Sequence, residues 1–251
     1  MYRITTIPTL ADNLTYLVDD GKVAVVIDPG EASPVLRRLD EMALSLAAVL
    51  ITHGHFDHRG GSDELQRRTG CEVVADAFGA IQEASERGFS FEIGPLVFHM
   101  LWTPGHSDDS GSYYLPPTQG FPGAVFTGDT LFVGGCGRIF TSSSATMWSS
   151  LQLLAALPAE TLVYCGHDYS LENYEFAVTV EPHNGEVKAR LEQIRSLVES
   201  GEPTVPSTIG QELATNPFLR ASSTAMKRAL GLPAATDVEA FTVLRRIKDR
   251  F

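Results

Sequence analysis

Cysteine is scarce in this chain of 251 residues. There are three, Cys71, Cys136 and Cys165, odd in number and far apart. That excludes a disulfide framework or a cysteine zinc ribbon and points to a reducing compartment, the cytoplasm. Positive charge is scarce as well, with 19 Lys and Arg against 31 Asp and Glu and a formal net charge of −12. A nucleic-acid binder usually carries a basic surface, so that class is set aside; an anionic substrate would need a local basic patch of its own. Long apolar runs are missing, and none would span a bilayer, so no membrane partner is expected. The opening MYRITTIPTL alternates like a strand and has no charged n-region leading into an apolar h-region, so no signal peptide is expected. Low-complexity segments are missing too. A monomer is expected.

What is there reads as α/β. Residues 14–18 and 22–27 flank Asp19-Asp20-Gly21, a hairpin signal. Helices are predicted over 32–42, 62–70 (closed by a glycine) and 145–156. Strands are predicted at 47–51, 72–75, 89–93, 95–102, 111–115, 123–127 and 161–165. After Gly166 the pattern becomes helical, with LENYEFAVTV, EVKARLEQIRSLVES and DVEAFTVLRRIKDRF all amphipathic at helical spacing, a loop at 201–208, and no convincing strand. Two domains are expected, 1–168 and an all-helical 169–251.

One pattern recurs. VLIT ends in His53, LWTPG in His106, AVFTG in Asp129 and LVYCG in His167. Each is an apolar strand that turns and presents an imidazole or a carboxylate from a rigid mount. Five of the seven histidines fall either in HGHFDH (53–58) or at such an end. His99 and His183 lack that context and are read as structural. His53 and His55 are two apart, so both can face one metal ion from extended chain, while Asp57 and His58 point elsewhere as the chain turns into a helix. Two ions can therefore share the stretch. His53, His55, His106 and Asp129 would hold one; Asp57, His58, His167 and Asp129 the other, with Asp129 bridging. Nitrogen and oxygen donors without a thiolate suit Zn²⁺, Mn²⁺ or Fe, and such a positive site would stabilise developing negative charge.

THxHxDH followed by separate His, Asp and His strand ends resembles the metallo-β-lactamase superfamily over roughly residues 1–168. That resemblance implies a four-layer αβ/βα sandwich with a dinuclear metal site at one edge. Four further stretches are similar to the glyoxalase II (hydroxyacylglutathione hydrolase) family: FTGDTLFVGGCGRIF (126–140), LVYCGHDYSLENYEFAVTVEPHN (162–184), STIGQELATNPFLR (207–220) and the terminal LRRIKDRF. The family resemblance implies hydrolysis of S-D-lactoylglutathione and other 2-hydroxyacylglutathiones to the hydroxy acid and glutathione, the second step of methylglyoxal detoxification. It implies two divalent metal ions, zinc first, with iron or manganese as alternatives. It also carries glutathione contacts onto Arg138, Tyr169, Arg245 and Lys248. Three positions depart from the family pattern: Gly54 replaces a bulkier residue, Phe140 replaces a tyrosine, and GHDYS stands for GHEYT.

In the terminal helix Phe241, Leu244, Ile247 and Phe251 form one apolar stripe. At about 100° per residue Lys248 lies roughly 40° from its centre and Arg245 roughly 100°. Arg246 and Arg250 point to solvent. Asn216-Pro217-Phe218 reads as a turn with an apolar anchor. Cys136, between glycines, has no histidine left over to act as its base and is read as a small packed residue.

The expected chemistry is thioester hydrolysis by a hydroxide generated between the two metals, with Asp57 and Asp129 the carboxylates at the reacting water. A glutathione persulfide dioxygenase, another hydrolase of the same superfamily, and a metal-bearing binding protein without catalysis are the alternatives.

Overall fold

The structure is a computed structural model describing residues 2–74 and 90–251. By its contacts the chain divides into two compact units, residues 1–102 with 109–128, and residues 103–108 with 129–251.

The first unit begins with a five-stranded sheet in sequential order: β1 (Arg3–Thr9), β2 (Asn13–Asp19), β3 (Val23–Ile27), β4 (Ser45–Leu50) and β5 (Glu72–Val74). β2 runs antiparallel to both β1 and β3; β3, β4 and β5 are parallel. The hairpin predicted at Asp19-Asp20-Gly21 is present, and Asp20 closes it by accepting the Lys22 and Val23 amides at 2.8 Å. The parallel pair β3 and β4 requires a crossover, supplied by α1 (Ala32–Met42). A single turn, α2 (Phe56–Arg59), and α3 (Ser62–Thr69) lie between β4 and β5. α3 stops at Gly70, whose φ of +73° suits the predicted glycine cap.

Alternation along the strands sorts the side chains. Leu17, Ala24, Val26 and Val49 bury themselves with Val35, Leu39 and Leu65 of α1 and α3. Tyr16, on the other face, meets Phe126 of a second sheet at a ring-centroid distance of 5.5 Å. Within this unit that sheet contains β6 (Ser90–Ile93), β7 (Leu96–Trp102), β8 (Gly111–Leu115) and β9 (Ala124–Gly128), an antiparallel meander. The buried Tyr113 hydroxyl ties the sheets together by donating to the Ile51 carbonyl at 2.7 Å. Residues 75 and 89, expected to belong to strands, lie outside the described residues.

The second unit holds the short hairpin β10 (Leu131–Phe132) and β11 (Gly135–Cys136), α4 (Ser144–Ala155), and β12 (Leu162–Cys165). Then come α5 (Ser170–Val180), α6 (Gly185–Ser200), β13 (Ser207–Thr208), α7 (Ile209–Thr215), a 3-10 turn (Leu219–Ser222), α8 (Thr224–Ala229) and α9 (Asp237–Lys248). The reading of the C-terminal region as strand-free needs correcting. β13 pairs antiparallel with β12 through Leu162↔Thr208 and Val163↔Ser207, and two residues are too few to show a period of two. Among the described residues no helix is long and apolar enough to cross a membrane.

The buried stripe of α9 also differs from expectation. Ala240, Phe241, Leu244 and Arg245 are buried, while Ile247 and Phe251 are exposed at 41% and 58%. Arg245 takes the inward position because its polar atoms find partners there: Nη1 donates to the Cys136 carbonyl at 2.8 Å, Nε to Asp249 at 3.0 Å, and the guanidinium lies 4.9 Å from the Phe218 ring centroid. A buried guanidinium is tolerated on those terms.

Candidate active site

In the first unit, β4 ends at Leu50 and the chain presents His53, His55, Asp57 and His58 within six residues. His53 and His58 are buried, Asp57 half-buried and His55 exposed. Asp28, immediately after β3, organises them. It is buried and has a φ of +52°. Its Oδ1 accepts the Thr52 amide at 2.8 Å, and its Oδ2 accepts the Thr52 hydroxyl at 2.7 Å and faces His58 Nδ1 at 2.9 Å.

These contacts assign tautomers. An ionised carboxylate only accepts, so His58 carries its proton on Nδ1 and its lone pair on Nε2. The Thr52 hydroxyl spends its proton on Asp28, so its oxygen accepts from His53 Nδ1 at 3.1 Å, and His53 also carries its lone pair on Nε2. His53 Nε2 stands 3.0 Å from His55 Nδ1, within hydrogen-bond distance. His58 Nε2 is 3.7 Å from Asp57 Oδ2, a carboxylate steadied by Asn13 Nδ2 at 2.9 Å.

The idea that Asp57 and His58 point elsewhere needs adjusting. The rings of His53 and His58 are 4.2 Å apart, so the two pairs adjoin. The one-turn helix α2, closed by His58 N–H donating to the His55 carbonyl at 3.1 Å, brings His58 back toward His53. At Gly54 the backbone N–H donates to Asp109 at 2.8 Å, and an added Cβ would meet that carboxylate at 2.7 Å. The missing side chain there is matched by an acid.

In the second unit, His106, Asp129 and His167 are all buried. His106 Nδ1 lies 3.0 Å from the Arg138 carbonyl. A carbonyl only accepts, so this imidazole too keeps its lone pair on Nε2. His106 Nε2 and His167 Nε2 each stand 3.5 Å from the same Asp129 oxygen, Oδ2. Gly137 permits the approach: a Cβ there would lie 2.0 Å from the Asp129 carbonyl oxygen and 3.0 Å from His106 Nδ1.

Both sets suit divalent metal ions. Metal-binding imidazoles almost always anchor the second nitrogen on a carboxylate or backbone carbonyl, which fixes the tautomer and aims the ligating nitrogen. His58 is anchored on Asp28, His106 on a carbonyl, and His53 on Asp28 through Thr52.

The residues expected to hold glutathione are diverse. Arg138 is exposed just beyond β11. Tyr169 stacks on His167, centroids 5.1 Å apart and planes at 4°. Lys248 pairs with Glu172 and lies over the rings of Phe176 and Phe251, at 5.5 and 5.0 Å. Arg245 is buried, as described. Phe140, where the family has tyrosine, is exposed and sets its ring edge against His106 at 5.2 Å. Cys136 is packed as expected: it is buried, and burial pushes its thiol up to about 11 against the pull of Arg245. A thiol so raised is a poor nucleophile.

Sequence reasoning missed Asp28, Thr52 and Asn13. The signal available for Asp28 was VIDPG, an apolar strand delivering an acid into a turn, the same pattern that singled out Asp129.

Fold and histidine-aspartate sets together define a member of the metallo-β-lactamase superfamily, whose sequence profile matches residues 9–81 and 75–167. The profile described as the hydroxyacylglutathione hydrolase C-terminus matches residues 168–251. A hydroxyacylglutathione hydrolase of Methylococcus capsulatus is 43% identical over 258 aligned positions, covering 100% of this chain and 99% of its own. Among solved structures, ETHE1 from Myxococcus xanthus superposes with a TM-score of 0.65 at 29% identity, over 98% of this chain and 90% of its own. TTHA1623 in a di-iron-bound form gives a TM-score of 0.57 at 28% identity, over 86% and 99%. The chain belongs to the hydroxyacylglutathione hydrolase family, glyoxalase II.

Proposed function

We propose that this chain hydrolyses the thioester of 2-hydroxyacylglutathiones, S-D-lactoylglutathione foremost, to the hydroxy acid and glutathione. The observation carrying this reading is the full-length kinship with hydroxyacylglutathione hydrolases, C-terminal segment included. The superfamily fold alone hosts several chemistries.

In this reading the seven side chains singled out by the sequence would be the ligands. His53, His55, His106 and Asp129 would hold one ion, and Asp57, His58, His167 and Asp129 the other; zinc is the first candidate, with iron or manganese possible. Bound there, divalent ions supply Lewis acidity and bring the pKa of water toward about 7. The chain's own contribution is orientation. Asp28 keeps the protons of His58 and, through Thr52, of His53 on Nδ1. The Arg138 carbonyl does the same for His106. Asn13 holds the Asp57 carboxylate, placing an acceptor for the proton of the attacking water.

Arg138, Tyr169, Arg245 and Lys248 are assigned to the tripeptide. Tyr169 is fixed by its stack on His167, and the Lys248 ammonium would exchange the exposed Glu172 for a glutathione carboxylate. Catalysis is assigned to 1–168 and thiol binding mainly to 169–251. The protein is read as a cytoplasmic monomer, in keeping with three reduced, buried cysteines.

The test is metal-replete protein with S-D-lactoylglutathione, following the ultraviolet absorbance of the thioester. Turnover with release of free thiol is expected. No cleavage, or oxygen uptake with glutathione persulfide in its place, would overturn the proposal.

A further inference from the structure

In the first unit two hydrogen bonds bracket His53. On its N-terminal side the Thr52 carbonyl accepts from the Gly111 N–H at 2.8 Å. On its C-terminal side the Gly54 N–H donates to Asp109 Oδ2 at 2.8 Å. Both partners come from the short run Asp109–Gly111, which leads into β8. The peptide between His53 and Gly54 is therefore fixed at both of its flanks. Gly54 is exposed, so water could satisfy its N–H. A carboxylate there adds direction, because a charge-assisted hydrogen bond is short and strong where a water contact is exchangeable.

The same carboxylate excludes a side chain at residue 54. A Cβ there would meet Asp109 Oδ2 at 2.7 Å and Cγ at 3.8 Å, and among the described residues nothing else lies within 4 Å. The φ of Gly54 is not positive, so its backbone is one that other residues adopt. Glycine is thus required at 54 by one carboxylate. Gly137 differs, since its obstacle is the Asp129 backbone. A side chain at 54 and an acid at 109 are alternatives. This chain carries the acid, and the bulkier residue of the family pattern is missing.

We propose that Asp109 is a positioning residue of the metal site: it holds the Gly54 N–H, fixes the directions in which His53 and His55 leave the backbone, and makes glycine obligatory between them. It acts through the main chain. His53 and His55 project from the two residues that flank Gly54, so a turn of this backbone swings the two imidazoles relative to each other. Asp28 and Thr52 set the His53 tautomer from the far side of the ring; Asp109 sets the backbone that carries it. The inference rests on the ligand assignment under the proposed function.

A double-mutant cycle on metal release tests the pair. Holoenzymes of the wild type, Asp109→Ala, Asp109→Asn, Gly54→Ala and the double variant Gly54→Ala/Asp109→Ala are mixed with a chromogenic chelator and the release rates followed. Asp109→Ala should release metal about ten-fold faster, the usual scale for losing a support behind the ligands. Asp109→Asn keeps an acceptor of the same shape and should recover most of that loss. Gly54→Ala should also release faster, because its methyl group strikes Oδ2. In the double variant that oxygen is gone, so Gly54→Ala should add nothing to Asp109→Ala, a non-additivity that two independent sites would not show. Wild-type release from Asp109→Ala, or an Asp109→Asn protein no better than Asp109→Ala, would overturn the positioning role. An equal factor from Gly54→Ala with and without the acid would overturn the exclusion. Should Gly54→Ala alone not fold, the double variant is compared with Asp109→Ala, and much faster release from the double variant has the same force. A wild type that holds metal but cleaves no thioester would sink the functional reading and leave the release rates to decide the pair. A wild type that takes up no metal would sink the ligand assignment, and this inference with it.

Discussion

Replacing Asp28 by asparagine should weaken metal binding without disturbing the fold. The φ of +52° at this position suits asparagine, one of the few side chains that enter the left-handed region readily. Size and shape hardly change. The acceptor count does. The carboxylate accepts the Thr52 amide on Oδ1, and the Thr52 hydroxyl and His58 Nδ1 on Oδ2. The amide has one oxygen. If that oxygen faces the Thr52 amide, the NH₂ group points at His58 Nδ1, which must give up its proton; the imidazole then carries it on Nε2 and cannot ligate. If the oxygen faces His58, the NH₂ group opposes the buried Thr52 N–H. Either way one charge-assisted hydrogen bond is lost, worth about 1.5–3 kcal/mol. At about 1.4 kcal/mol per decade that is roughly 10- to 100-fold in affinity, in line with losses on removing such supports elsewhere.

The assay is competition against a chromogenic chelator, with metal content by mass spectrometry and far-ultraviolet dichroism as the control for folding. The His58 ion should weaken first. The His53 ion should follow less strongly, because Asp28 reaches His53 only through the Thr52 hydroxyl. A folded Asp28→Asn protein binding both ions with wild-type affinity would refute the tautomer argument.

Three other substitutions have definite expected outcomes. Asp129→Ala should leave less than one equivalent of metal by mass spectrometry and reduce thioester cleavage at least about 10²-fold, because both ions lose a ligand. Gly137→Ala places a Cβ against the Asp129 carbonyl oxygen at 2.0 Å, which backbone cannot yield cheaply; a loss of about 3 kcal/mol in urea unfolding is expected, at the upper end for overpacking. Burial raises the Glu212 carboxyl above its ordinary value, against opposing hydrogen bonds from Ser207, Gly134 and Asn216. Its stabilising share is therefore complete below the unfolded carboxyl pKa and lost as pH rises through the folded value. Glu212→Gln, which keeps an acceptor for Gly134, should melt above the wild type in metal-free protein at pH 8, with the gap closing as pH falls toward 4.

Ligand positions were legible in the sequence because they are local. Each follows an apolar strand within a few residues, and HGHFDH places four candidates on one short stretch. The supports were harder to find because they are not local. Asp28 and His58 are 30 positions apart, Asn13 and Asp57 are 44, and Cys136 and Arg245 are 109. No spacing rule links such residues; only the sheet order and the packing of the C-terminal segment do. The elements divide along the same line. Strands with several alternating residues were read to within a residue or two, as were the helices α1, α3 and α4, whereas the short capped helices α7 and α8 were not read at all. The two-residue strands β10, β11 and β13 were not, being defined by partners and not by a period.

Arg245 shows where periodicity misleads. A helical wheel assigns the buried face from apolar residues, so it placed Ile247 and Phe251 inside and left Arg245 well off the stripe. The structure turns α9 toward Ala240, Phe241, Leu244 and Arg245. The reason is polar. Cys136 has a buried backbone carbonyl, and leaving such a group without a donor costs more than exposing part of an isoleucine. A guanidinium supplies the donor, lies over the Phe218 ring and keeps a further nitrogen for Asp249. Lysine would bring a point charge without the plane or the second direction. The family likeness marks Arg245 and Lys248 as a pair, but their surroundings separate them. One donates to the backbone of the β10–β11 hairpin, and the other holds an exposed acid that a substrate carboxylate could replace.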